Sequence, residues 1–428
     1  MSETARAATR AWVLHPDTEE RGGTSPGARD SQRRLDETVA LAVALPGIEI
    51  VGATVVPLPR PRPGYLFGEG KVDELATLFK REHIELVLVD GPVTPVQQRN
   101  LEKAWNNKLL DRTSLILEIF SDRARTREGV LQVEMAALAY QRTRLVRAWT
   151  HLERQRGALG FVGGPGETQI EADRRAIDDQ LLRLKRQLAK VAKTRGLHRS
   201  ARKKVPYPVV VLVGYTNAGK STLFNRLTGA EVLAQDMLFA TLDPTMRAVS
   251  LSDGRDVILS DTVGFISDLP PQLVAAFRAT LEEVTDADLV LHVRDISHPE
   301  TEEQAQDVTG ILAELGVGDD RPLIEVWNKA DLLDTERVAA LEAQAERHGR
   351  VCVLSALSGA GTDGLLVTIG DELADPIEEA ELHLSFAEGR KRAWLFEHVD
   401  VAEDRQTDDG FTLRVRWTAI QKARFQTL

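Results

Sequence analysis

Residues 214–221 read Gly-Tyr-Thr-Asn-Ala-Gly-Lys-Ser and follow the apolar run Val209–Val213. The spacing G-x-x-x-x-G-K-S is typical of a phosphate-binding loop, because its glycines let backbone N–H groups wrap a di- or triphosphate. Lys220 would reach the β- and γ-phosphates, and the Ser221 hydroxyl would ligate Mg²⁺. We expect a strand, this loop and a helix, which together bind a nucleotide. The predicted contacts are Gly214, Tyr215, Thr216, Asn217, Ala218, Gly219, Lys220, Ser221 and Thr222.

Three later segments decide which base is bound. Asp261 and Gly264 form a D-x-x-G motif after an apolar strand, where Asp261 would hold Mg²⁺ through water and the Gly264 amide would meet the γ-phosphate. Asp331, in Asn-Lys-Ala-Asp, can accept both N–H donors of guanine, an arrangement that adenine does not offer. A later turn can give a backbone N–H to the guanine O6. Guanine is therefore strongly favoured, and its predicted contacts are Asn328, Lys329, Asp331, Ser355 and Ala356.

These four segments, in this order and each at the end of a strand, resemble the translation-factor class of P-loop GTPases. The resemblance implies GTP and GDP as ligands, Mg²⁺ as cofactor, and hydrolysis of GTP to GDP and phosphate.

The segment Leu238–Thr245 offers two threonines for the switch that senses the γ-phosphate. We assign Thr241, which is similar to the second threonine of the F-T-T-x-x-P pattern in related GTPases, and Thr245 remains the alternative. The chosen hydroxyl would complete the Mg²⁺ shell only with GTP bound. Phe239 is assigned to the same nucleotide site. The predicted catalytic residues are Lys220, Thr241 and Gly264, and the predicted Mg²⁺ ligands are Ser221 and Thr241.

Two positions affect the rate of hydrolysis. Phe265 stands directly after D-x-x-G, where a glutamine commonly orients the hydrolytic water, and a phenyl ring cannot hydrogen-bond to water in that way. We therefore expect slow hydrolysis that a partner stimulates. Asn217 stands where some related GTPases bind K⁺, although a role in shaping the loop is equally compatible with its position.

The composition of the chain limits its class. It has 428 residues, a formal charge of −11 and one cysteine, Cys352, which excludes an internal disulfide framework and a cysteine zinc site. No apolar run reaches the roughly 18 residues of a membrane span, and the first residues lack the apolar core of a secretion signal. We expect a cytoplasmic monomer without integral membrane association.

The order of strand and helix signals predicts four parts. Residues 1–125 alternate strands and helices as an α/β domain with a mostly parallel sheet. Residues 126–205 form a helical hairpin and linker, 206–375 the P-loop domain, and 376–428 a small α+β domain. The short motif Gly68-Glu69-Gly70-Lys71 is better explained as a turn that begins a helix than as a second phosphate loop.

The hairpin is basic although the chain is acidic. Residues 121–204 hold 20 Lys and Arg against 9 Asp and Glu, and two apolar stripes predict long antiparallel helices. The charge suits a local contact with a polyanion, or it is an ordinary solvated helix face. Between the helices, residues 157–169 hold five glycines and one proline, so this loop is either functional or disordered.

The loop and its surroundings look like those of the HflX family. The matching segments are Gly163–Arg175, Asp111-Arg112-Thr113 with Ile119-Phe120, Gln132-Val133-Glu134 and Phe239–Thr245. The resemblance implies association with the large (50S) ribosomal subunit and its rRNA, and a role in splitting or rescuing stalled ribosomes under stress. The loop differs from the family pattern, since it is one residue longer and lacks a basic residue before Gly-Pro-Gly. The expected RNA contacts are Gly160, Phe161, Gly163, Gly164, Pro165, Gly166, Arg174 and Arg175.

Two other functions stay open at this point. One is a GTPase that serves an RNA-modifying enzyme or another protein partner, which would bind tightly and independently of ribosomes. The other is an interaction protein with little catalysis, in which GTP is structural; only Phe265 supports it.

Overall fold

The structure, a computed structural model, describes residues 8–18, 31–155, 165–202, 207–230, 238–239, 245–267, 273, 283–317, 321–374, 378–407 and 409–426. The chain divides into two compact units, Met1–Leu366 and Val367–Leu428.

The larger unit begins with a four-stranded parallel sheet in the order β2-β1-β3-β4. Its central strand β3 is apolar and buried at every position, as expected for a parallel strand covered on both faces. The α/β prediction is confirmed. The elements are β1 (Thr9–Asp17), α1 (Ser31–Val43), β2 (Ile48–Pro57), α2 (Glu69–Arg81), β3 (Leu86–Val89), α3 (Pro95–Trp105), β4 (Lys108–Asp111) and α4 (Arg112–Arg123).

Helices α2 and α4 each begin at a recognisable sequence feature. Helix α2 begins at Glu69, in agreement with the helix-start interpretation of the Gly68–Lys71 motif. Helix α4 was not predicted as a helix. It begins directly after β4, where the Asp111 side chain accepts a hydrogen bond from the Ser114 N–H at 2.9 Å and so caps it.

Two long helices follow, α5 (Arg127–Gln155) and α6 (Pro165–Arg202). At 1.5 Å per residue they are about 44 and 57 Å long. Glu134 of α5 meets Gln180 at 3.4 Å, and Arg142, further along α5, pairs with the earlier residue Asp178 at 2.6 Å, so the helices run antiparallel. The predicted hairpin is present. Burial at the base of α5 centres on Leu131, Gln132, Val133 and Ala136 rather than on one heptad stripe.

The P-loop domain is built on a six-stranded sheet in the order β10-β9-β8-β5-β7-β6, in which only the β6–β7 pairing is antiparallel. The carboxyl ends of β5, β7 and β9 therefore lie along one edge. The elements are β5 (Val209–Gly214), α7 (Lys220–Thr228), β6 (Thr245–Ser250), β7 (Asp256–Asp261), β8 (Leu289–Asp295), α8 (Thr301–Glu314), β9 (Leu323–Asn328), a 3₁₀ turn (Ala330–Leu332), α9 (Thr335–His348), β10 (Val351–Val353) and α10 (Thr362–Glu372).

The smaller unit carries an antiparallel sheet in the order β11-β13-β12. Its core contains Leu384, Leu395, Leu413, Val415 and Trp417. The elements are β11 (Glu378–Ser385), a 3₁₀ turn (Phe386–Glu388), α11 (Gly389–His398), β12 (Asp400–Thr407), β13 (Gly410–Trp417) and α12 (Ala419–Gln426). This is the α+β architecture expected from the sequence. Among the described residues of the whole chain, no helix is both long and apolar enough to cross a membrane.

Candidate guanine-nucleotide site

The P-loop follows β5 and depends on two glycines that no other residue could replace without strain. Gly214 has φ +151°, and a Cβ there would lie 2.1 Å from the Val293 carbonyl oxygen of β8. Gly219 has φ +92°, and a Cβ there would lie 2.1 Å from Nδ2 of Asn328. Both positive φ values and both close approaches require glycine. The loop is therefore packed directly against the strand β8 and against the expected base-binding loop.

Lys220 begins α7 and is almost completely buried. Its ammonium donates to the carbonyl oxygens of Gly214 at 3.1 Å and Tyr215 at 2.7 Å. Burial lowers its pKa to about 8, although the nearby charge of Asp261 acts in the opposite direction. A negatively charged phosphate group beside this buried ammonium would stabilise its charged form, so the site suits a polyphosphate.

Ser221 and Asp261 bring two oxygen donors together at the expected metal position. The Ser221 hydroxyl donates to Oδ2 of Asp261 at 2.7 Å, and the Asp261 side chain is buried. Mg²⁺ prefers oxygen ligands and commonly takes several from water and substrate phosphates, so these residues fit it. In the described parts of the chain no cluster of three or more His, Cys, Asp or Glu could hold a metal ion. Mg²⁺ held by Ser221 and Asp261 would fill the rest of its shell with water and the phosphates of the nucleotide.

The D-x-x-G segment lies against the P-loop. A Cβ on Gly264 would be 2.8 Å from Cγ2 of Thr216 and 3.0 Å from Nζ of Lys220, so this position too requires glycine. The next residue, Phe265, is buried and joins the P-loop through its backbone: Thr216 N–H donates to the Phe265 carbonyl at 2.7 Å, and Phe265 N–H donates to the Gly214 carbonyl at 3.1 Å.

Asn328 ties the expected base-binding loops to the P-loop. Its Nδ2 donates to the Ala218 carbonyl at 2.8 Å, and its Oδ1 accepts from the Ala356 N–H at 2.9 Å. Lys329 has φ 67° and pairs with Asp295 at 2.8 Å. Ser355 and Ala356 are buried, whereas Asp331 is exposed, which leaves its carboxylate accessible to a base.

The remaining predicted residues lie in different places. Phe239 is buried in the core with φ 57°, and its ring meets Phe120 of α4 edge to face, 4.7 Å between centroids. Thr245, the alternative switch threonine, begins β6. Asn217 is exposed with φ 59°. Thr241, Gly160, Phe161, Gly163 and Gly164 lie outside the described residues, Pro165 and Gly166 are in the first turn of α6, and Arg174 and Arg175 are exposed on α6.

Three residues at this site were missed from the sequence, namely Glu37, Arg112 and Ser267. Glu37 of α1 accepts hydrogen bonds from the hydroxyl groups of Tyr215, in the P-loop, and Ser267, shortly after D-x-x-G. Arg112 of α4 donates to the Ser267 hydroxyl oxygen. Arg112 had a signal, since it belongs to a segment that matches the HflX pattern. Glu37 and Ser267 had none.

Three family models match successive parts of the chain. Residues 32–121 match the N-terminal region of the GTP-binding GTPases, 123–202 match their middle region, and 209–329 match the 50S ribosome-binding GTPase family.

The relatives match nearly the whole chain. The GTPase HflX of Magnetococcus marinus is 50% identical over 395 residues, which cover 92% of this chain and 90% of that protein. The GTPase HflX of Escherichia coli is 42% identical over 379 residues, 88% of each chain. A crystal structure of a GTP-binding protein from Sulfolobus solfataricus in complex with GDP covers 85% of this chain and 98% of its own, with 22% identity and a TM-score of 0.45. At 50% and 42% identity over almost the full length of both sequences, the chain belongs to the HflX family of GTPases, and it binds and hydrolyses GTP.

Proposed function

We propose that this GTPase is a switch that binds the large ribosomal subunit and splits or rescues stalled ribosomes under stress. The observation that carries the proposal is the match of residues 209–329 to the 50S ribosome-binding GTPase family, on a chain whose basic residues are concentrated in the preceding hairpin. A ribosomal partner also agrees with the cytoplasmic location expected from the sequence.

The hairpin has properties that suit folded RNA. It carries 20 Lys and Arg against 9 Asp and Glu between residues 121 and 204, while the whole chain has a charge of −11. Such a local excess attracts phosphate groups, and the acidic remainder limits binding elsewhere. Arg174 and Arg175 are exposed on α6. We assign the RNA contact to these arginines and to the segment Gly160–Gly166, whose glycines and aromatic ring suit recognition by shape and stacking.

The nucleotide would control this contact through the switches. With GTP and Mg²⁺ bound, Ser221 and Thr241 would ligate the metal and the Gly264 amide would meet the γ-phosphate. Loss of the γ-phosphate would release the segments that carry Thr241 and Gly264, and it would lower the affinity for the subunit. Because Phe265 cannot orient water, we assign the acceleration of hydrolysis to the ribosome. K⁺ at Asn217 stays a prediction.

The first test is GTP turnover with and without purified 50S subunits, in the full-length protein and in a variant lacking residues 160–166. We expect at least about tenfold stimulation by 50S subunits, since partners that complete a GTPase site act by 10³ or more, and we expect the deletion to abolish it. The same loss should follow from R174E/R175E. The matched control is R337E/R347E, two exposed arginines of α9 outside the hairpin, which should keep the stimulation.

The second test separates ribosome splitting from other roles. Light scattering of 70S ribosomes should fall on addition of the protein with a non-hydrolysable GTP analogue and stay constant with GDP. Absence of both stimulation and splitting would refute the proposal, and a tight protein partner recovered independently of ribosomes would then favour a GTPase that serves an RNA-modifying or other enzyme. Absence of hydrolysis under all conditions would favour an interaction protein in which GTP is structural.

A further inference from the structure

The strongest unassigned feature is a buried polar cluster where the N-terminal α/β region meets the nucleotide site. Its members are Glu37 of α1, Arg112 at the start of α4, Tyr215 of the P-loop, and Ser267, three residues after Gly264. We call this set the anchor. It joins residues up to 230 positions apart in the sequence.

Ser267 is held through all of its polar groups. Its N–H donates to the Tyr215 hydroxyl at 2.7 Å, and its own hydroxyl donates to Oε2 of Glu37 at 2.7 Å. Nη2 of Arg112 donates to the Ser267 carbonyl at 3.1 Å and to its hydroxyl oxygen at 3.2 Å. The Tyr215 hydroxyl donates to Oε1 of Glu37 at 2.5 Å, which closes the ring of bonds.

Arg112 is held in place by several neighbouring side chains. Arg112 is 7% exposed and pairs with Glu37 at 3.3 Å and with Asp90 at 2.8 Å. Burial alone would lower the pKa of Arg112, but the carboxylates of Glu37 and Asp90 outweigh it and raise the pKa. Thr38 also accepts from Arg112 at 3.2 Å. A buried ion pair of this kind adds little net stability, but the hydrogen bonds from Nη1 and Nη2 of Arg112 impose one geometry on the groups they meet.

The segment that leads from Gly264 to Ser267 also contacts the P-loop. Phe265, on the side nearer Ser267, is bonded through its backbone to Gly214 and Thr216 of the P-loop. Gly264 itself lies beside Lys220, the residue that would contact the β- and γ-phosphates. The chain is therefore held against the P-loop at Gly264 and Phe265, and it is held again at Ser267 by the anchor.

We propose that Glu37 and Arg112 are positioning residues for GTP hydrolysis, which act through Ser267 and the Tyr215 hydroxyl to hold the Gly264 amide where the γ-phosphate binds. The inference rests on the GTPase activity and is independent of the ribosomal proposal. GDP has no γ-phosphate, so the anchor should matter for GTP and for the hydrolytic step and not for GDP.

The test compares two variants from opposite sides of the contact, Tyr215→Phe and Glu37→Gln, without ribosomes. Tyr215→Phe keeps the ring and removes only the hydroxyl. We expect kcat to fall roughly tenfold in each, since small misplacements of a catalytic group cost one to two orders of magnitude. The Kd for a non-hydrolysable GTP analogue should rise several-fold, and the Kd for GDP should stay within about twofold. The double variant should be no worse than either single one, because both break the same unit.

Arg144→Gln is the control for general destabilisation. Arg144 is half-buried, and its guanidinium bonds to Asp111 and to the Tyr140 hydroxyl. Its loss should lower the melting temperature without changing the ratio of GTP-analogue to GDP affinity.

An equal loss of GTP-analogue and GDP binding in both anchor variants, or an unchanged or increased kcat, would overturn the proposal. If Glu37→Gln does not fold, Ser267→Ala replaces it and is expected to show the same selective loss.

Discussion

Two parallel sheets of the larger unit end in polar residues at their carboxyl edges, but these residues are used differently. In the N-terminal sheet, Asp90 accepts from His15 at 2.7 Å and from Arg112 at 2.8 Å, and all three are buried. In the P-loop sheet, Lys220 bonds backbone carbonyls and Ser221 bonds Asp261. Parallel sheets generally bind ligands at this edge.

The difference shows what a ligand-binding edge requires. Hydrogen bonds between Ser221 and Asp261 can be exchanged for bonds to Mg²⁺ and phosphate. The Arg112–Asp90 pair joins two full charges away from water, and a ligand that displaced it would leave one charge unpaired, at a cost of several kcal/mol. At the carboxyl edge of the N-terminal sheet, Asp90 instead orients Arg112 toward Ser267, beside the nucleotide site.

The largest expected effect is on the free energy of unfolding, through Asp90 at the carboxyl edge of the N-terminal sheet. Asp90→Asn removes a buried charge that Arg112 faces, and breaking such a pair costs about 3–5 kcal/mol of unfolding free energy. Urea unfolding followed by tryptophan fluorescence measures it. The control is Asp253→Asn, which breaks an exposed pair with Arg255 and should leave the unfolding midpoint unchanged. An Asp90→Asn protein as stable as the parent would contradict the contrast between the edges.

At the P-loop sheet the expected effect is on nucleotide binding. Gly219→Ala places a Cβ 2.1 Å from Nδ2 of Asn328 at a φ of +92°. We expect GTP and GDP affinities to fall at least about 100-fold, which corresponds to about 3 kcal/mol. Fluorescent-nucleotide titration measures this. Gly229→Ala is the matched control, since its φ is also positive at +66° but nothing lies within 4 Å of the added Cβ, and binding should be retained.

A smaller effect concerns His292 of β8, inside the P-loop sheet. Burial lowers its pKa to about 4, although the nearby carboxylate of Glu325 acts in the opposite direction. The unfolded chain, with the ordinary value of 6.5, takes up the proton first as pH falls. Stability is therefore full above pH 6.5 and is lost between pH 6.5 and 4.

Between pH 7 and 5 this amounts to about 2 kcal/mol. Urea unfolding at both pH values, in the parent and in His292→Gln, measures the effect. The variant should show a weaker pH dependence, and an equal dependence in both proteins would refute this role.

The smallest expected effect is the pH dependence of nucleotide binding, which comes from Lys220 of the P-loop. The Lys220 pKa of about 8 should rise when phosphates bind, so binding takes up a proton above pH 8. Nucleotide affinity should be constant below pH 8 and fall by up to about tenfold, or 1.4 kcal/mol, by pH 9. Calorimetric titrations at pH 8.7 in two buffers of different ionisation enthalpy reveal the proton uptake. Identical heats in both buffers would show that Lys220 is already charged in the free protein.

Much of the fold follows from local pattern. The strands β1 to β4 and the helices α2 and α3 lie where apolar runs and helix starts predict them, because each element's pattern is contained in its own residues. The P-loop residues are close to the other nucleotide motifs for the same reason, since each motif ends a strand of one parallel sheet.

What could not be predicted depends on distant partners. Arg112–Arg123 contains a short apolar run that resembles a strand as much as a helix. The packing of Phe239 on Phe120 depends on a helix far away in the sequence, and its predicted place at the nucleotide stays a prediction. Glu37 had the pattern of an ordinary helix residue, and only tertiary structure places it beside Ser267.

The two hydrogen bonds of Asn328 have a consequence for nucleotide exchange. They join the Ala218 carbonyl of the P-loop to the Ala356 N–H of the expected base-binding loop through a single side chain. The two loops should therefore keep their relative position when GDP departs, and little of the release barrier should come from the base side. A partner that accelerates exchange would act by displacing the metal-binding or switch segments, and we expect it to leave the Asn328 contacts intact.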